Sequence, residues 1–143
     1  MNKIIRKIQY SEKVYRFDVE APLIAKSRKA GNFVIIRVDA NSERMPLTIA
    51  DADTEKGTIT LVVQKVGLSS TKLCNLNEGD EIHDVVGPLG NPTHIENFGT
   101  VLCAGGGVGV APMLPIIKAL KAAGNRVLSV IAGRSQDLVI LED

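Results

Sequence analysis

Over residues 1–92 the chain alternates short apolar runs, rich in Val, Ile and Thr, with tight polar breaks. IIRKIQYS, KVYRFDVEA, NFVIIRVD, MPLTIAD, GTITLVVQKV and DEIHDVVG each have the length and composition of a β-strand. Ala30-Gly31-Asn32, Glu55-Lys56-Gly57 and Glu78-Gly79-Asp80 punctuate them as turns. In KVYRFDVEA the alternation has period two and sets Val14, Arg16, Asp18 and Glu20 on one side. Six such strands predict a small antiparallel barrel of Greek-key type, closed or half-closed. Ser69 to Leu76 is the single helical stretch expected in this half.

The pattern changes near Gly87-Pro-Leu-Gly-Asn-Pro92, which marks the expected boundary. From Gly99 it reads strand, glycine turn, helix, strand. TVLCAG is a buried apolar strand. Leu114, Ile117, Leu120 and Lys121 then follow helical spacing, and RVLSVIAG is a second buried strand. Pro112 suits the first helical turn. Pro115 is expected to be tolerated for the same reason, because the first four amides have no helical acceptor. Gly124-Asn125 would end the helix as a left-handed cap. The whole is one βαβ unit with a right-handed crossover. An all-β antiparallel barrel over 1–92 and a partial α/β unit over 99–143 are therefore the expected parts.

The turn itself, CAGGGVGVAP from Cys103 to Pro112, is the main chemical signal. Glycines between a strand and a helix let the backbone approach a pyrophosphate, and the helix's free amides and positive end meet its charge. Gly105, Gly106, Gly107, Gly109, Ala111 and Pro112 are the candidate NAD(P) contacts. The pattern departs from the usual dinucleotide fingerprint: Gly105-x-Gly107 leads to Val110, and Gly107-x-Gly109 to Pro112. A tight βα turn with no ligand accounts for the same residues. Arg134 and Ser135 stand at the end of the second strand where an acidic residue would hold a ribose, which leaves NADH against NADPH open.

Composition narrows the classes. The 143 residues are 45% hydrophobic and 23% charged, with a net charge of +1. That is a globular balance with no electrostatic footprint for nucleic acid or for a membrane surface. The N-terminus lacks the apolar run of a signal peptide. Cys74 and Cys103, like His83 and His94, match no metal-ligand spacing, and two buried thiols fit a cytoplasmic protein. Asn97 to Ile117 carries no charge, but its five glycines and two prolines argue against a membrane span.

Taken in order, ERMPLTIAD, KVGLSSTKL, GPLGNP and CAGGGVGVAPMLPIIKAL resemble the ferredoxin–NADP reductase superfamily over nearly the whole chain. PLTIAD, GPLGNP and KALKAAGNRV with GRSQDLVILED are similar to the small (alpha) subunits of NADH-dependent ferredoxin:NADP oxidoreductase, also called sulfide dehydrogenase. The electron-transfer subunits of dihydroorotate dehydrogenase are similar too.

The resemblance implies FAD as cofactor and NAD(P)H as substrate. It places Arg44 at the FAD pyrophosphate and the Thr48 hydroxyl near flavin N5, with Pro46 and Leu47 between them. Val62, Val63 and Gln64 would line the flavin, and the Gly67, Ser69, Ser70, Thr71 turn would hold its phosphates. A solvated loop arginine and simple helix capping are the plainer readings of Arg44 and of the serines. The Arg44–Thr48 spacing is one residue longer than the widespread Arg-x-Tyr-Ser/Thr form. Leu47 replaces the stacking aromatic, which predicts weaker flavin stacking.

The implied activity is that of a flavoprotein electron-transfer subunit, an oxidoreductase, with ferredoxin and a larger flavoprotein or iron–sulfur subunit as partners. A non-catalytic, partner-binding barrel is the alternative. In the family a further sheet follows, and then cysteines carrying a 2Fe-2S centre. On this reading the chain is a fragment lacking that region, expected to be inactive alone.

Overall fold

The computed structural model describes residues 2–142. Seven strands form two antiparallel sheets in the first part: β1 (Ile4–Gln9), β2 (Val14–Glu20), β3 (Phe33–Arg37), β4 (Met45–Thr48), β5 (Asp51–Asp53), β6 (Thr58–Gln64) and β7 (Asp84–Leu89). One sheet has the order β1-β2-β6-β5 and the other β4-β3-β7. Phe17, Val19, Ile59, Leu61 and Val63 of the first pack against Val34 and Ile36 of the second, all fully buried. Arg16 and Asp18 take the opposite face of β2, as the alternation predicts. Arg16 Nε donates to Asp18 at 3.1 Å, and Asp18 also accepts from the Thr60 hydroxyl at 2.8 Å.

Three features differ from the sequence expectation. MPLTIAD is two strands rather than one. The chain turns inward at Ile49 and Ala50, both at most 1% exposed, so β4 joins one sheet and β5 the other. A second helix, α1 (Pro22–Ser27), precedes α2 (Leu68–Cys74). It is short and has no side-chain cap, and only its proline near the start signals it. Finally, β7 runs through Gly87 and Pro88 to Leu89, so the strand ends later than DEIHDVVG suggests. Pro46 and Pro88 both sit on edge strands, where a missing N–H costs no ladder bond. Close packing explains the second glycine in GPLGNP. A Cβ on Gly90 would lie 2.9 Å from the Phe33 ring, at a φ of +84°.

α2 closes one end of the barrel. The Lys7 ammonium donates to the carbonyls of Cys74 and Leu76, at 2.6 and 2.7 Å, and lies 5.1 Å from the Tyr15 ring centre. It thereby fastens the last turn of α2 to β1. Burial raises the Cys74 thiol above its ordinary pKa, against the pull of Lys65 and Lys7. Cys74 is therefore expected to resist iodoacetamide in the folded protein and to react once denaturant is added. Labelling followed by peptide mass mapping checks this.

The second part is β8 (Thr100–Gly106), a single 3₁₀ turn (Gly107–Gly109), α3 (Val110–Ala122) and β9 (Arg126–Ala132), with β8 and β9 parallel. α3 starts at Val110, because the glycine turn feeds straight into it. Pro115 is therefore the sixth residue of the helix and not part of its first turn. The missing N–H leaves the Ala111 carbonyl without its usual partner, and the proline ring is buried instead. Gly124, at φ +92°, ends the helix as expected.

Asn125 does more than the sequence shows. Its Nδ2 donates to the carbonyls of Glu96 and Leu120, and its Oδ1 accepts from the amides of Phe98 and Gly99, all at 2.7–3.1 Å. One buried side chain thus ties the approach to β8 to the end of α3. The face of the β8–β9 sheet away from α3 is bare, with Leu102, Leu128 and Val130 each 45–66% exposed.

Candidate functional site

Two sets of sequence candidates lie on either side of a junction between barrel and βαβ unit. On the barrel side, β4 pairs with β3 so that Thr48 stands opposite Phe33 at the strand's end. Thr48 and Leu47 are half-buried, while Arg44 and Pro46 are exposed just before them. The Arg44 guanidinium and the Thr48 hydroxyl make no hydrogen bond or ion pair among the described residues. Both are thus available to a ligand.

The Gly67 turn opens α2, which is tied to the loop before Arg44. Lys72 of α2 reaches Asp39 Oδ2 at 3.3 Å and Ser42 Oγ at 3.4 Å, in the loop that leads to Arg44. A hydrogen bond from Ser42, then the Asn41 amide, hold the Asp39 carboxylate below its usual range, and Lys72 adds to this. The loop is therefore fastened to α2, the helix that the Gly67 turn opens.

Within the turn the hydroxyls divide. Ser70 is buried and fully engaged: it accepts from the amides of Val66 and Gly67 and donates to the Gly67 carbonyl. It shapes the turn from the third helical position, which makes it a cap in the sense the plainer reading gave. The Ser69 and Thr71 hydroxyls have no partner among the described residues.

The β6 candidates separate by face. Val63, 1% exposed, belongs to the barrel core, and Val62 belongs to the junction cluster with Val14, Ala50, Val110 and Ala111. Neither side chain is open to a ligand. Gln64, the next residue, is exposed and lines the cleft described below.

That cleft is about 610 Å³. Val14 and Gln64 form one wall, Gly106, Gly107 and Gly109 another, and Gly133, Arg134 and Ile140 contribute to the far side. It opens at the C-terminal ends of two parallel strands, where ligands of open α/β sheets bind. Gly107 has a φ of +54°, and a Cβ built on Gly107 or on Gly109 would meet nothing within 4 Å. The glycines therefore leave open space at the cleft wall. No side chain caps the 3₁₀ turn or α3, and no acidic residue stands in either first turn, so the amides there keep their full positive end.

The other three candidates are placed differently. A Cβ on Gly105 would lie 3.1 Å from Met113 Cε, so that glycine serves strand–helix packing. Ala111 is buried in the junction and Pro112 is exposed on α3. Sequence reasoning missed Val14, whose apolar alternation gave no sign of a place in the cleft wall.

The profile of the oxidoreductase FAD-binding domain matches residues 2–94. The chain belongs to that family. Beyond the matched region the likeness continues. A Thermotoga maritima protein named dihydroorotate dehydrogenase B (NAD(+)) electron transfer subunit homolog is 46% identical over 143 residues, which is all of this chain and 51% of that protein. The corresponding electron transfer subunit of Fusobacterium nucleatum is 29% identical over 95% of this chain and 54% of its own length. The solved structure of an NADH-dependent reduced ferredoxin-NADP oxidoreductase, described in terms of flavin-based electron bifurcation, superposes on 99% of the chain with a TM-score of 0.97 at 45% identity, covering 52% of that chain.

Phthalate dioxygenase reductase shares the fold, at a TM-score of 0.79 and 22% identity. The chain is thus a flavoprotein oxidoreductase homologue with an antiparallel FAD-binding barrel and a small parallel sheet. It spans about half the length of the relatives it matches. No helix among the described residues is long and apolar enough to cross a membrane.

Proposed function

We propose that this chain is the flavin-bearing part of an electron-transfer subunit that takes reducing equivalents from NAD(P)H. The observation that carries this is the junction itself. Unengaged donors at Arg44, Thr48, Ser69 and Thr71 stand on the barrel, and an uncapped glycine turn walls the adjoining cleft. When bound, FAD accepts a hydride and releases single electrons, so no acid–base residue is required of the protein.

The chain's own residues bind and orient. Arg44 and the Gly67–Thr71 turn hold the FAD pyrophosphate, with Ser70 shaping that turn from within. Thr48 donates toward flavin N5, and Gln64 reaches the rim shared by both ligands. Gly106, Gly107 and Gly109 take the NAD(P)H pyrophosphate on backbone amides. Gly105 and Ala111 support that turn through packing, and Pro112 lies in the first turn of the helix behind it.

The barrel is read as a Greek-key FAD domain over 1–92, with 99–143 as the first part of a nucleotide domain. Its partners are a larger flavoprotein or iron–sulfur subunit and ferredoxin, with a 2Fe-2S centre lying beyond residue 143. Two unbridged cysteines, Cys74 and Cys103, favour the cytoplasm.

The test is flavin uptake. Mixed with FAD and desalted, the protein is expected to retain a yellow chromophore that extraction identifies as FAD. Protein that stays colourless would refute the reading and leave a partner-binding barrel; retention of FMN alone would refute the two-phosphate assignment. Thr48→Ala is expected to keep FAD but shift its reduction potential. One lost hydrogen bond is worth about 0.5–1.5 kcal/mol, too little to expel so large a ligand. An unchanged potential, measured by equilibration with redox dyes, removes Thr48 from the flavin edge.

A further inference from the structure

The segment between β4 and β5 links the two halves of the site. Thr48 ends β4, Ala50 is fully buried against Val110 and Ala111 at the start of α3, and Asp51 opens β5. Asp51 Oδ2 meets the Lys118 ammonium at 2.6 Å, while Oδ1 lies 3.7 Å from the Arg28 guanidinium. Lys118 sits two turns beyond Val110, about 12 Å along the helix axis. α3 thus meets the barrel at an apolar cluster, where Val110 and Ala111 join Val14, Ala50 and Val62, and again at Asp51. The first is apolar and non-directional and acts as a pivot. The second is directional and stops the helix swinging about it.

The geometry points to Asp51 and Lys118 as a positioning pair that fixes α3, and with it the glycine turn, against the Thr48 end of β4. The pair touches neither ligand and acts only through the helix. Lys118 is 54% exposed on its side chain and Asp51 30%, so the pair biases the alignment about two- to fivefold rather than locking it. The consequence for hydride transfer rests on the flavin-and-nucleotide reading above. Because donor and acceptor rings react only at near contact, a small swing of α3 lowers the rate without lowering affinity.

The test compares Lys118→Met with two controls by residual dipolar couplings of backbone amides. Lys118→Arg keeps the charge, and Arg28→Met removes the other partner of Asp51 without touching α3. In the parent protein and in both controls, one alignment tensor should fit the barrel and the βαβ unit together. In Lys118→Met the βαβ amides should need their own. A single tensor in Lys118→Met overturns the proposal, because the apolar pivot then suffices. So does an equal change in Arg28→Met, because Asp51 would then act through α1.

The alignment measurement needs no flavin, so failed FAD uptake would refute the function proposed above and leave this outcome standing. Where FAD is bound, in a protein of its relatives' length, stopped-flow reduction by saturating NADH should slow about three- to fivefold in Lys118→Met. FAD and NADH dissociation constants should stay within about twofold of the parent. An unchanged reduction rate overturns the positioning role.

Discussion

Gly109→Val is expected to abolish NAD(P)H binding while leaving FAD uptake and stability nearly unchanged. Two observations isolate the effect. Gly109 lines the cleft, and a Cβ placed there meets nothing within 4 Å, so the fold has room for a side chain. Its φ of −62° is ordinary for any residue, so no backbone strain accompanies the change. What the valine removes is open space where a pyrophosphate must come within hydrogen-bond reach of the backbone amides. Loss of those bonds should weaken binding at least about 100-fold, or about 2.8 kcal/mol. Gly107→Val is a less clean experiment, because its φ of +54° adds strain to the steric block. The measurement is calorimetric titration with NADH and NADPH in a protein of the length its relatives have, with FAD retention as the control. Normal nucleotide binding by Gly109→Val would reduce the glycine turn to a connection between β8 and α3.

Asn125→Ala is expected to destabilise the βαβ unit by about 2–4 kcal/mol while sparing the barrel. The side chain is 7% exposed and uses both its donors and its acceptor on backbone groups drawn from two separate segments. Alanine leaves the Glu96 carbonyl and the Phe98 amide to find other partners, while the buried Leu120 carbonyl keeps only the backbone amide of residue 125 and the Gly99 amide keeps only Asn97 Oδ1. Asn125→Asp should recover only part of the loss, since it keeps the acceptor for Phe98 and Gly99 but has no donor for Glu96 and Leu120. Hydrogen exchange resolves the outcome. The amides of β8, β9 and α3 should exchange faster while those of β2 and β6 keep their protection. Equal acceleration across both parts would mean that the molecule unfolds as one unit, and that Asn125 matters no more locally than elsewhere.

Strand existence was legible in the sequence because period-two alternation is a direct record of one buried face. The inward turn at Ile49 and Ala50 was not. Residues at a crossing between two sheets are apolar like their neighbours, so MPLTIAD reads as a single run. α1 escaped for the opposite reason: six residues give too few turns for helical spacing to stand out.

In the site, the glycine turn announced itself, because only a close approach or unusual backbone calls for so many glycines in one place. Its division of labour did not show. Gly105 gives way to Met113, whereas Gly107 and Gly109 face open space, and that depends on where a helix thirteen residues long lays its side chains. Val62 and Val63 were grouped as neighbours in sequence, yet adjacent strand residues point to opposite faces. Ser70 looked like Ser69 until the capping geometry set them apart.

The pairing of β2 with β6 has a consequence for how the protein is made. Val14 lies opposite Gln64, and Glu20 opposite Thr58, across about fifty intervening residues at the widest point. As the chain leaves the ribosome, β1 and β2 can form a hairpin at once and β3 then brings Val34 and Ile36 to Phe17 and Val19, but the other edge of β2 has no partner until β6 emerges. β3 pairs early with β4, but its other edge waits longer still, since β7 ends at Leu89. The nascent barrel therefore leaves strand edges in both sheets unpaired for several seconds at ordinary elongation rates of about 5–20 residues per second. A slowly translated stretch would protect the chain least if it fell between codons 20 and 58, and a holdase that shields the β1–β2 hairpin would raise yield more than one acting on the finished domain.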